Sequence, residues 1–210
     1  MELSHPLRVV TSALDADVLE VLARAETAFT GRDIARRIEA STEGTRRVLA
    51  RLVEQGIVLR EPAGAAQMYR LNREHLAAPA VIALAGVRED LVTRLRVLLS
   101  GWSPAPVYAA LFGSVARGQE RPDSDLDVFV LRGAGVAVDD PAWSARIADL
   151  AVRATAWTGN DTRVLQFGLD ELAEVDEPGG VLDDILREGI CVAGRESVLR
   201  RALRSARSGS

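Results

Sequence analysis

A strand that runs into a Gly-Ser turn, followed by an Asp-x-Asp pair at the mouth of a second apolar strand, leaves this chain few folds to choose from. Val107-Tyr-Ala-Ala-Leu-Phe112 leads into Gly113 and Ser114, and Leu126-Asp-Val-Phe-Val-Leu131 carries the second carboxylate into an apolar strand. Asp125 and Asp127 are two residues apart, so on a strand they point to the same side of the sheet, roughly 7 Å apart at the backbone. Val128, Phe129, Val130 and Leu131 fill both faces of that strand, so it continues into a core. Two like charges at its mouth repel unless a cation lies between them.

That arrangement suits a metal-bound triphosphate. Oxygen ligands favour magnesium or manganese, and two-metal sites, with ions about 3.5–4 Å apart, drive in-line displacement at phosphorus. Gly113 allows close approach of backbone to phosphate, and Ser114 with the amides of the following turn can donate to it. Arg117 is the nearest cation in sequence for phosphate charge.

Phe112-Gly113-Ser114 and Asp125-Leu126-Asp127-Val128 together resemble the motif of the nucleotidyltransferase superfamily typified by DNA polymerase beta. The resemblance implies transfer of a nucleoside monophosphate from a nucleoside triphosphate to an acceptor hydroxyl, with Asp125 and Asp127 as catalytic metal ligands. It implies Gly113, Ser114 and Arg117 on the nucleotide. Such sites usually hold a third carboxylate on a later strand. Thr162-Arg-Val-Leu-Gln-Phe167 is the expected strand and carries no acid; Gln166 is the polar residue nearest the expected position, with Asp161 before the strand and Asp170 after it. An amide ligates metal weakly and cannot serve as a base.

Residues 1–76 read as a second unit. Leu14, Val18, Leu19, Val21 and Leu22 recur at helical spacing; Thr30 caps a short helix, Gly31 to Ile38; Ser41 or Thr42 opens a third helix with Val48, Leu49, Leu52 and Val53 as its buried stripe and Gly56 at its end. Two strands, Ile57 to Glu61 and Gln67 to Leu71, follow across Pro62 to Ala66. This order is similar to a winged helix-turn-helix domain. The resemblance implies a third helix that reads DNA, with Thr42, Arg46, Arg47 and Arg51 on its solvent face. Acids and bases balance in this region, and winged helices also serve as dimerisation or docking modules.

The stretch 77–102 reads as one linker helix with Val81, Leu84, Leu91, Leu95 and Leu98 near one stripe, able to pair with a copy of itself as a homodimer. Ser103-Pro-Ala-Pro106 then breaks the chain, and 103–195 forms the nucleotidyltransferase domain. Helices are expected over Pro141 to Trp157 and Val181 to Glu188, and a strand over Ile190 to Ala193. Residues 196–210 read as a helix fraying into disorder. The fold expected is α+β: a winged helix-turn-helix, a linker helix and a mixed sheet flanked by helices.

All 26 basic residues are arginine and the net charge is -4, so any nucleic-acid contact must be local. No charge-free apolar run reaches membrane-spanning length and no signal-peptide pattern opens the chain; a cytoplasmic protein is expected. Cys191, alone in an apolar strand, reads as a core thiol. His5 and His75 are too few and too scattered for a zinc site or a serine triad. Fusion to a helix-turn-helix favours a regulatory or toxin–antitoxin setting, with a toxin protein as one candidate acceptor. The competing reading is a DNA-binding regulator whose nucleotidyltransferase fold senses a nucleotide with little or no turnover.

Overall fold

The computed structural model describes residues 1–175 and 179–208. The chain divides into two compact units, one built essentially from residues 4–88 and the other from 89–210.

In the first unit, a 3-10 turn at Pro6–Val9 precedes α1 (Ala13–Arg24), β1 (Phe29–Thr30), α2 (Gly31–Arg37), α3 (Thr42–Glu54), β2 (Val58–Ala63) and β3 (Ala66–Leu71). Caps set the helix starts: Thr30 Oγ1 accepts from the Asp33 amide, and Ser41 Oγ accepts from the Gly44 amide. The sheet order is β1-β3-β2, all antiparallel. The hairpin is tighter than the pattern suggested. Pro62 still pairs with Gln67, and Gly64, at φ +60°, lets two residues close the turn. The short β1 was not expected from sequence. Val18, Leu22, Ile34, Leu49, Leu52, Val58 and Leu71 form the core.

The stretch expected as one linker helix is two, α4 (Ala78–Ala85) and α5 (Val87–Ser100), separated at Gly86. The apolar stripe serves two cores. Ala78 and Ala85 are buried in the first unit, with Val81 and Leu84 packed against its core; Leu91, Val92, Leu95 and Leu99 are buried further on.

The second unit continues with β4 (Tyr108–Phe112), α6 (Gly113–Arg117), β5 (Leu126–Arg132), α7 (Pro141–Thr158), β6 (Thr162–Gly168), α8 (Leu172–Val175), α9 (Val181–Glu188), β7 (Ile190–Gly194) and α10 (Glu196–Ser208). Its sheet order is β6-β5-β4-β7, with β5 and β6 parallel and the other pairs antiparallel, the mixed sheet expected. Asp140 caps α7 by accepting from the Trp143 amide at 2.7 Å. Tyr108, Ala110, Phe129 and Leu131 pack with Leu182, Ile185 and Leu199 on one face of the sheet. The expected fraying of the C-terminus falls partly on 209–210, outside the described residues. Cys191 is half-buried in β7, and burial pushes its thiol pKa up. Among the described residues no helix is long and apolar enough to cross a membrane.

Candidate active site

Antiparallel pairing joins the two halves of the motif. Phe112 at the end of β4 lies opposite Asp127 in β5, so the turn that starts at Gly113 falls directly against the carboxylates. Gly113 has φ +72°, and a Cβ built on it would stand 2.5 Å from Asp127 Oδ2. Only glycine satisfies both the left-handed backbone and this approach. Ser114 follows within α6, a single turn closed by Gly118 at φ +67°.

Asp125 sits just before β5 and Asp127 within it, both half-buried. The Asp127 carboxyl is held above its ordinary value, first by burial and next by the charge of Asp125; Arg163 and Arg117 oppose the shift. This residual electrostatic cost is what a bound cation would relieve, and an all-oxygen pair at a side-chain-free turn fits a hard divalent ion.

Arg117 faces the site with a partner: its Nη1 lies 2.5 Å from Glu188 Oε1 at the end of α9. Arg163, which sequence reasoning passed over, is the cation paired with the carboxylates. The parallel register sets Asp127 beside Arg163, and Arg163 Nη2 lies 2.9 Å from Asp125 Oδ2. The strand holding Arg163 was read correctly from its pattern, but its register against β5 has no local signal.

Register also removes Gln166 from the site. Gln166 lies beside Val130, whose side chain points to the face opposite Asp127 because side chains alternate along a strand. There Gln166 Oε1 accepts from the Trp143 indole Nε1 at 2.8 Å. Trp143 in turn meets Trp102 edge to face, with ring centroids 5.3 Å apart. Asp170 follows the far end of β6. Asp161 accepts from the Leu126 amide through its backbone oxygen, 2.8 Å, and is exposed. Among the described residues no third His, Cys, Asp or Glu joins Asp125 and Asp127 in a cluster with donor atoms all within 4.8 Å.

In the first unit, Thr42, Arg46, Arg47 and Arg51 share α3, but its arginines are already engaged. Glu43 accepts from Arg46 Nε and Nη2, each at 2.9 Å, and from Arg47 Nε at 3.0 Å, and these bonds hold its carboxyl at about 2. Arg51 pairs with Asp15 on α1.

The family model of the nucleotidyltransferase domain matches residues 95–136, and that of the O-methyltransferase dimerisation domain matches residues 5–74. No curated protein matches the chain. Among solved structures, a mutant of the toxin–antitoxin MntA-HpeT is 17% identical with a TM-score of 0.41, over 56% of this chain and 85% of its own. A toxin–antitoxin with AMP-PNP is 18% identical with a TM-score of 0.37, over 58% and 85%. TrmBL2, an archaeal chromatin protein, is 16% identical with a TM-score of 0.32, over 89% and 78%. Likeness at these scores carries no argument about activity. The family match does coincide with the geometry, since it spans β4, the Gly113 turn, Asp125 and Asp127. Residues 95–136 of this chain belong to a nucleotidyltransferase domain.

Proposed function

We propose that this nucleotidyltransferase joins the α-phosphorus of a nucleoside triphosphate to the oxygen of an acceptor hydroxyl, whose proton passes to water. The bond between the α- and β-phosphates breaks and pyrophosphate leaves with the electron pair. The observation that carries the reading is the packing of Asp127 on the side-chain-free Gly113 turn, with Asp125 beside it. Asp125 and Asp127 would hold magnesium or manganese. Bound there, a divalent ion neutralises triphosphate charge and favours in-line displacement. Gly113 and Ser114 cradle phosphate oxygens. Arg117, oriented by Glu188, supplies positive charge close by.

The Arg163–Asp125 ion pair favours a second reading, a nucleotide sensor with weak turnover, because among the described residues a cation, and no third carboxylate, accompanies Asp125 and Asp127. Both readings require metal-dependent nucleotide binding; only the first requires product. The test is transfer of label from alpha-labelled nucleoside triphosphates, with magnesium or manganese, into protein, RNA and small-molecule fractions of a bacterial lysate. Label that enters one fraction and is lost in the Asp125→Asn, Asp127→Asn variant supports transfer. Nucleotide binding without label in any fraction supports the sensor.

For the first unit, the dimerisation-domain match supports self-association through residues 5–74, beside the pairing expected through the stretch 77–102. DNA contact through Thr42, Arg46, Arg47 and Arg51 is also part of the proposal, and would require exchange of the Glu43 and Asp15 ion pairs for phosphate. The proposed setting is regulatory or toxin–antitoxin, with a partner protein among the acceptors to test. It rests on the joining of a nucleotidyltransferase domain to a winged helix-turn-helix-like unit in one chain.

A further inference from the structure

Far along the chain from the nucleotidyltransferase motif, α1 turns two carboxylates toward a histidine of the preceding segment. Asp17 and Glu20 are three residues apart and share a helix face. His5 caps the 3-10 turn Pro6–Val9, and its Nδ1 lies 3.3 Å from Asp17 Oδ1 and 3.5 Å from Glu20 Oε2. The three donor atoms all lie within 4.8 Å of one another.

Two features separate this cluster from an ordinary ion pair. Glu20 has a side chain only 8% exposed, and its Oε2 has no hydrogen-bond partner; its other oxygen, Oε1, is met by Arg24 Nη2 at 2.8 Å. His5 Nδ1 is likewise buried without a hydrogen-bond partner, so neither carboxylate takes a proton from it in hydrogen-bond geometry. Buried polar atoms of this kind call for a partner such as an ion. The spacing supplies the second feature. A tetrahedral zinc ion with bonds of about 2.0–2.2 Å keeps its ligand atoms about 3.3–3.6 Å apart. The His5 distances match that edge.

We infer that His5 Nδ1, Asp17 Oδ1 and Glu20 Oε2 form a three-ligand site for a divalent transition-metal ion of the zinc class, open at its fourth position. One imidazole with two carboxylates favours such an ion over magnesium or calcium, which prefer all-oxygen shells. Arg8 holds Asp17 in place through Nε and Nη2 at 2.9 and 2.8 Å, as an outer-shell donor orients a ligand. Arg8 and Arg24 also offset the carboxylate charge, so the imidazole and the geometry carry the selectivity. The ion would fasten the 3-10 turn to α1.

The test uses the full chain carrying Asp125→Asn and Asp127→Asn, so that the nucleotidyltransferase carboxylates do not compete for metal. Metal-stripped protein is titrated with cobalt(II), read by visible absorption, and with zinc(II), read by calorimetry. One saturable equivalent with the intense absorption of tetrahedral cobalt is expected, abolished by His5→Gln and by Glu20→Gln. Zinc should raise the melting temperature of the parent and leave that of His5→Gln unmoved. Circular dichroism checks that each variant folds, and the partly exposed His5 carries the test if Glu20→Gln does not. Absence of saturable binding, or binding that survives His5→Gln, overturns the assignment and leaves the cluster as an ion-pair network.

Discussion

Asp127 rests on the bare backbone of Gly113: a Cβ at position 113 would lie 2.5 Å from its Oδ2, at a residue whose φ is +72°. The turn and the carboxylate therefore define one another. Gly113→Ala must relax both a left-handed backbone and a carboxylate contact, at a cost of about 1–3 kcal/mol. The variant is expected to stay folded but to lose nucleotide affinity by an order of magnitude or more, read by calorimetry beside a thermal melt. Wild-type affinity in Gly113→Ala would remove the turn from the site.

Arg163 holds Asp125 with a side chain 74% exposed, so the pair is worth no more than about 1 kcal/mol. Arg163→Ala frees Asp125 for metal. Manganese affinity without nucleotide is expected to rise roughly two- to fivefold, the equivalent of that energy, as measured by electron paramagnetic resonance. A fall in affinity would show that Arg163 positions the carboxylate rather than competing for it.

The raised Asp127 pKa has a defined sign. An acid whose folded pKa lies above its unfolded value adds stability while protonated, and loses that contribution as pH rises through the folded pKa. A metal competes with this proton, so metal affinity should begin to fall on acidification at a higher pH than an ordinary aspartate would give. Asp125→Asn removes the second-largest cause, after burial, and should lower the Asp127 pKa in a carboxyl NMR titration. An unmoved titration would assign the whole shift to burial.

Gln166 acts in packing. Replacing it with Leu leaves the buried Trp143 indole N–H without its acceptor, which costs about 1–3 kcal/mol. Denaturant melts should record that loss, while nucleotide binding and any transfer stay at the parent level. A selective loss of transfer in a stable Gln166→Leu would return this residue to the chemistry.

On α3, Glu43 stays ionised and engages both Arg46 and Arg47 throughout the neutral range, offsetting one of their two charges, since its carboxyl is held at about 2. DNA binding through this helix should therefore be weak and only moderately salt-dependent. Arg46→Ala, Arg47→Ala and Arg51→Ala together should abolish it and flatten the salt slope in fluorescence anisotropy. DNA affinity unchanged in the triple variant would exclude α3 as the contact.

Local chemistry was legible in the sequence. Thr30 and Ser41 start helices because each places a side-chain oxygen over the amide three residues on, and the Phe112-Gly-Ser and Asp-Leu-Asp strands are written in alternation and turn residues. Alternation set Asp127 at the mouth of the strand, although Asp125 stands just before β5 rather than on it. What joins distant segments was not legible. Parallel register put Arg163 against the carboxylates and sent Gln166 to the opposite face, and a one-residue slip would have reversed that outcome. The stripe through 77–102 was visible, yet whether it served one core or two depended on packing beyond the helix itself. His5 was one of two scattered histidines in the sequence; only the fold brought it within 3.5 Å of two acids on α1. Caps and periodicity act over a turn or two of chain, whereas register and clustering are decided by which surfaces bury one another, and that is a property of the tertiary structure.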